Sequence, residues 1–208
     1  MTISRVSLEI LGQIPLQETQ IEVQTLRPGR TIELIEATVT IGGRTIIRAR
    51  AWRLQTQDTS AVAGLELPSM PPVEQCSPYL TSAEWPGRFL ATLEGRAAPG
   101  GRDGRRQVWA RTGVPLVAGT TVSPLASYLT LVDLANGIAT RVRPTEPMFP
   151  NVELTIHLLR TPDPTWTGLD TSVSFGANGI GLTSTTLNDI AGPVGRAEQS
   201  LTVRELPR

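Results

Sequence analysis

The stretch Ser123–Arg143, SPLASYLTLVDLANGIATRVR, constrains the chain most, because it alone is long and regular enough to form a substantial helix. Ser123 suits the N-cap, Pro124 suits the first helical position, and Pro144 stops the helix just past Arg143. Apolar residues at Leu125, Leu129, Leu131, Val132, Leu134, Ala135, Ile138 and Val142 cover most of its circumference, a pattern a helix tolerates only when other structure wraps it. A buried central helix is expected. One narrow stripe escapes the apolar coat: Thr130, Asp133, Gly137 and Thr140 recur at steps of three or four and share a face. Asp133 carries the one charge on that stripe.

The material to wrap this helix lies on both sides of it. Gln107–Val117 before it, and Asn151–Arg160, Leu169–Ala177, Ile180–Asp189 and Val194–Arg204 after it, read as strands. Asn178-Gly179 signals a type I′ hairpin and Asp189-Ile190-Ala191-Gly192 a second turn. The expected unit is an α+β arrangement, a five-stranded antiparallel sheet enclosing the helix as the most buried element. Nearer the N-terminus, Val6, Leu8 and Ile10 alternate with polar residues, as do Ile21 and Val23. Thr31–Ile41 and Thr45–Leu54 form a hairpin about Gly42-Gly43-Arg44. Between the two regions, Gln55 to about Gly104 is rich in proline, lacks periodicity and reads as a linker. The division is therefore a partial first unit over 1–55, a linker over 56–104, and a second unit over 105–208.

The outer regions resemble each other. RVSLEILGQIP matches NVELTIHLLRTP in strand length and closing proline, and ATVTIGGRTIIRARA matches TTLNDIAGPVGRAEQ as a hairpin. This reads as a duplication whose first copy lacks its opening strand and helix, either because that copy is degenerate or because the true start lies upstream of Met1. A sheet without its helix exposes apolar surface and edges, so association into a homo-oligomer through the sheets is expected.

Composition removes several classes of function. Nineteen basic residues balance nineteen acidic ones, so no overall field draws in nucleic acid or an anionic membrane. No apolar run approaches the eighteen or so residues that span a bilayer, and the N-terminus is too polar for a signal peptide. One cysteine, Cys76, makes no internal disulfide, and a single histidine leaves no metal cluster. A cytoplasmic protein without metal or other cofactor is the expectation.

LVDLANG, FPNVELTIHLLRTP, GIGLTSTTLNDIAGPVG and AEQSLTV in the second half, with RPGRTIELIEATV in the first, resemble the thioesterase-like superfamily of tandem hotdog proteins, close to the acyl-CoA thioesterase II type. The resemblance covers nearly everything except the proline-rich stretch. It implies a hotdog fold and hydrolysis of an acyl-CoA thioester by a water held by a carboxylate and two polar side chains, without cofactor. By motif, the family's carboxylate falls on Asp133, its Thr or Asn on Asn151 and its glutamine on Gln199. The first-half counterparts fall on Arg5 for Asn151 and Ala51 for Gln199, with no helix to supply an aspartate, so one site per chain is implied.

Each residue also has a reading of its own. Gln199 shares the apolar face of its strand with Ala197, Leu201 and Val203, and a buried amide needs partners, backbone or water. Asp133 suits a base or water-orienting carboxylate, or equally a helix-edge side chain touching solvent or Arg141. Simple alternation sets Asn151 with Glu153, Thr155 and His157 on the polar face, so a bulge at the strand start is required for it to join the site. His157 reads as a surface or sheet-packing side chain. Gly176 to Gly181 imitates a dinucleotide fingerprint but joins two strands. Arg96, Arg102, Arg105, Arg106 and Arg111 suit either coenzyme A phosphates or a solvated linker end. Trp85 and Trp109 suit core or interface. The competing functions are a noncatalytic acyl-binding or scaffold protein and, further off, an enoyl-thioester hydratase, which needs an aspartate and histidine together.

Overall fold

The computed structural model describes residues 1–79, 87–142 and 147–205. Trp85, Arg143 and Pro144 lie outside them. The strands are β1 (Thr2–Ile10), β2 (Thr19–Arg27), β3 (Ile32–Ile41), β4 (Arg44–Leu54), β5 (Ser77–Tyr79), β6 (Leu93–Ala97), β7 (Arg105–Thr112), β8 (Pro147–Met148), β9 (Glu153–Leu158), β10 (Thr167–Phe175), β11 (Ile180–Asp189), β12 (Gly192–Thr202) and β13 (Arg204–Glu205). All but β8 and β13, which pair with each other, form one 11-stranded sheet in the order β2-β3-β4-β1-β9-β12-β11-β10-β7-β6-β5.

That order contains the duplication. β2-β3-β4-β1 is repeated in reverse as β9-β12-β11-β10, and the two copies meet where β1 pairs antiparallel with β9. Ser7 stands opposite Thr155 there. One constant shift along the chain carries Ser7 onto Thr155, the turn pair Ile41 and Arg44 onto Asp189 and Gly192, and Ala51 onto Gln199. Ser7 and Thr155 therefore sit on a local two-fold axis relating the halves.

The helix departs from its expected form. Ser123 caps it, accepting a hydrogen bond from Ala126 N at 3.2 Å, and Pro124 opens α1 (Pro124–Leu129). It then breaks into a 3₁₀ turn (Val132–Leu134) and α2 (Ala135–Ile138), ending well before Arg143. Thr130 is a physical cause: its hydroxyl donates back to Ala126 O at 2.9 Å, a bond that competes with the helical ladder and bends it. The segmented helix still lies against the sheet. Tyr128, Val132, Ala135 and Ile138 are buried, and Tyr128, Val132 and Ile138 share a core with Val108, Leu154, Ile156, Leu169, Leu187 and Val194. Each such side chain contributes roughly 1.5–3 kcal/mol relative to exposure. The helix is not the most buried element, since β10 and β11 are covered along most of their length.

The stretch 56–104 is not a free linker. β5 pairs with β6 and β6 with β7, so the sheet beside the helix runs beyond the five strands expected. Met70, Cys76, Ala98, Trp109 and Trp166 form a second buried cluster, and the Trp109 indole donates to Pro71 O at 2.8 Å. Proline hid these strands because the segment has few residues in each and no alternation to reveal them.

Turn chemistry follows sequence in two places and departs in a third. Gly42 and Gly43 have φ of 56° and 76°, the two left-handed residues of a tight hairpin. Asp189 pairs with Gly192 about Ile190-Ala191. Asn178 has no positive φ, so β10 and β11 are joined by the longer loop Gly176–Gly179, closed by Gly176 N donating to Ile180 O at 2.7 Å, and not by a type I′ turn. No described helix is long and apolar enough to cross a membrane.

Candidate active site

Asp133, Asn151 and Gln199 converge. The Asp133 Oδ1 atom accepts hydrogen bonds from Asn151 Nδ2 at 2.9 Å and Gln199 Nε2 at 2.7 Å. Among the described residues nothing bonds Oδ2, and Asp133 retains exposed surface, so one carboxylate oxygen is anchored and the other is left unbonded. The helix break contributes directly: Asp133 lies in the 3₁₀ turn between α1 and α2, two residues beyond Leu131, whose N–H leaves the α-helical pattern to bond Tyr128 O.

Asn151 reaches the site by the required bulge. β9 pairs with β12 in regular register from Gly195↔Leu158 to Glu198↔Thr155, but Asn151 bridges Leu201, one residue out of step. Glu153 fills the gap by accepting the Ser200 backbone N–H on its side-chain Oε1 at 2.7 Å. Because strand side chains alternate, a one-residue slip turns Asn151 onto the face that carries Gln199.

The first half repeats the bulge without the chemistry. Its register shifts between Ile3 and Arg5, and Ile3 pairs with Arg53 as Asn151 pairs with Leu201. The counterpart of Asn151 is therefore Ile3, two residues before the Arg5 expected from motif alignment. Motif matching missed this because it compared residues without the hairpin that fixes register. With Ile3 and Ala51 in these places, the first half holds no equivalent polar cluster.

Asp133 keeps solvent-exposed surface, yet the protein packed around its carboxyl strips part of its hydration and pushes its pKa above the ordinary value, while the hydrogen bonds from Asn151 and Gln199 pull the other way without cancelling it. A raised carboxyl pKa makes a better proton acceptor. Gln199 is buried at 1% exposure. Opposite it in the register stands Thr183, fully buried and not expected as a site residue; the hairpin register counted back from the Asp189–Gly192 turn is the signal that finds it. His157 is exposed on the outer face, between Arg5 and Arg196, away from Asp133's partners. Among the described residues no His, Cys, Asp and Glu group could hold a metal ion.

The basic stretch is partly tied into the sheet and partly solvated, with Arg102 and Arg111 exposed. Arg105 pairs with the buried Asp170, Arg111 with Glu94 at 2.7 Å while stacking over Trp166, and Arg106 lies over the Tyr79 ring.

Two family models match the sequence: an acyl-CoA thioesterase C-terminal domain over residues 66–203 and an acyl-CoA thioesterase N-terminal domain over residues 2–54. The chain belongs to the acyl-CoA thioesterase family. No curated protein matches it. Among solved structures it is similar to the acyl-CoA thioesterase II TesB2 of Mycobacterium marinum, with 19% identity, TM-score 0.73, and coverage of 99% of this chain and 81% of that one. It is also similar to a conserved protein of unknown function with a hot dog fold from Alicyclobacillus acidocaldarius, with 15% identity, TM-score 0.77, and coverage of 99% and 80%. These likenesses give the fold: an antiparallel hotdog sheet with one central helix. The C-terminal thioesterase match begins at residue 66, in keeping with β5 and β6 joining the second half.

Proposed function

We propose that the protein hydrolyses acyl-CoA thioesters to the free acid and coenzyme A, with Asp133, Asn151 and Gln199 holding and activating the water. The observation that carries this reading is the two-amide grip on Asp133 Oδ1, which leaves Oδ2 without a bond among the described residues. In the proposed step, Asp133 takes a proton from water as the oxygen attacks the thioester carbonyl. The tetrahedral intermediate collapses with cleavage of the C–S bond, and the proton passes to the departing sulfur. The amides hold Oδ1 in place before the reaction, so part of the cost of positioning the carboxylate is met by the fold.

The test is free-thiol release from acyl-CoA esters of graded chain length. Release above the spontaneous rate is expected, and its chain-length optimum sizes the acyl site. No release from any ester would sink the hydrolase reading and favour a noncatalytic acyl-binding role. Ala51→Gln, in the first half, is expected to leave the rate within about twofold, because Ile3 and the absent helix still deny it partners.

Turnover is expected to rise with pH through the Asp133 pKa, since only the carboxylate accepts a proton. The inflection lies above the ordinary carboxylate value, because burial raises it. A rate flat across the acid range would count against Asp133 as base. The setting we propose is cytoplasmic acyl-lipid metabolism, in a homo-oligomer associated through its sheets. Ile21 and Val23 on the edge strand β2 are 65% and 66% exposed. Light scattering at micromolar concentration is expected to give more than a monomer's mass, and a strict monomer removes this part of the proposal.

A further inference from the structure

Thr183 on β11 stands directly opposite Gln199 on β12. Residues so paired place their side chains on the same face with Cβ atoms about 4.5–5.5 Å apart. Thr183 is 0% exposed and Gln199 1%. Gln199 gives its Nε2 to Asp133, whereas its Oε1 is buried without a partner, and so is Thr183 Oγ1. An unpaired buried polar atom is costly, and here one atom lacks a donor while its cross-strand neighbour carries one. On a neighbouring rung of the same face, the buried hydroxyls of Thr171 and Thr185 are bonded to each other at 3.1 Å.

We infer that Thr183 is a positioning residue for the site: its hydroxyl donates to Gln199 Oε1 across one bridging water, and fixes the amide with its N–H edge toward Asp133. The need follows from geometry. Gln199 has three side-chain torsions, and an amide held at one atom pivots about that bond. Anchoring the second atom removes the pivot, so the hydrogen bond to Oδ1 keeps its direction while the proton moves. Thr183 touches neither the attacking water nor the thioester in this scheme; it acts through Gln199. For its effect on turnover the inference rests on the hydrolase reading above, but the amide–carboxylate geometry does not.

The experiment compares Thr183→Val, which keeps the shape and removes the hydroxyl, with Thr183→Ser, which keeps the hydroxyl. Thr185→Val serves as a neighbouring control outside the site. Two quantities are read: acyl-CoA turnover, and the titration midpoint of the Asp133 carboxyl carbon by NMR. The influences on that carboxyl are burial and the two amides, with no charged side chain among them. Thr183→Val is expected to lower kcat about tenfold with KM nearly unchanged, as for loss of one buried hydrogen bond, and to raise the Asp133 midpoint. Thr183→Ser and Thr185→Val are expected to keep both at parent values. If Thr183→Val fails to fold, Thr183→Ala carries the same expectation. A folded Thr183→Val protein with the parent midpoint overturns the inference, as does a Thr183→Ser protein that shifts as far as Thr183→Val. If the parent releases no thiol, the hydrolase reading falls alone, and the midpoint still decides the role of Thr183.

Discussion

Asp133→Asn is expected to lower acyl-CoA turnover by roughly a hundredfold or more, the range for losing a positioned general base. Asparagine keeps an oxygen where the two amides converge, so the hydrogen bonds from Asn151 and Gln199 have somewhere to land. What disappears is the negative charge and the basic oxygen that neither amide holds. Gln199→Ala is expected to cost a similar order, about that of one preorganised polar contact. Thermal unfolding separates chemistry from folding here. Burial raises the Asp133 pKa, so its charged form is disfavoured in the folded state, and its contribution to stability falls as pH rises from the unfolded carboxylate value through the raised one. Removing the charge is therefore expected to leave the Tm near the parent's or slightly above it at neutral pH. A doubly substituted Asp133→Asn, Gln199→Ala protein that turns over at the parent rate would eliminate the site.

Much of this site was legible in the sequence because its signals are local. Asp133 interrupts an apolar helix, Gln199 interrupts an apolar strand face, and either exception is visible from spacing alone. Asn151 was legible only as a contradiction: alternation put it on the wrong face, and the bulge filled by Glu153 resolves it. The residues that escaped notice depend on register, which a single strand does not encode. Ile3 instead of Arg5, and Thr183 beside Gln199, emerge only when the hairpin turns fix which residues face each other. β5 and β6 escaped for a different reason. Short strands at a sheet edge need little alternation, and proline is tolerated there, so a run that reads as a linker pairs into the sheet. The helix was expected to be continuous because its apolar pattern is continuous, but Thr130 competes for the backbone through a hydroxyl that the pattern ignores.

Asp189→Ala is expected to be the most destabilising single change, costing about 3 kcal/mol, because it leaves two backbone N–H groups without their acceptor and strips the part-exposed Arg160 guanidinium of its carboxylate, leaving it only backbone oxygens such as Gly192 O. The Asp189 side chain is 0% exposed and takes both Arg160 guanidinium nitrogens, at 2.5 and 2.6 Å. It also accepts the Asp163 and Ala191 backbone N–H groups, each at 2.8 Å. One carboxylate thus ties the segment after β9 to the β11–β12 turn. The adjacent Asn188 O accepts the buried Tyr128 hydroxyl at 2.8 Å, which pins α1 to the same corner. The helix that carries Asp133 and the strand that carries Gln199 are therefore referenced to one point, and loosening it is expected to lower turnover in whatever fraction stays folded. Burial raises the Asp189 pKa, but the Arg160 guanidinium and the two N–H groups outweigh it and hold the carboxyl below its ordinary value. With a depressed folded pKa, its stabilisation is present above the unfolded carboxylate value and is lost as pH falls through the folded one. Acid unfolding of the parent should accordingly show a limb that Asp189→Asn flattens. Denaturant titrations at neutral and acid pH check both points, and a neutral-pH midpoint for Asp189→Ala equal to the parent's would show that this corner does not hold the site together.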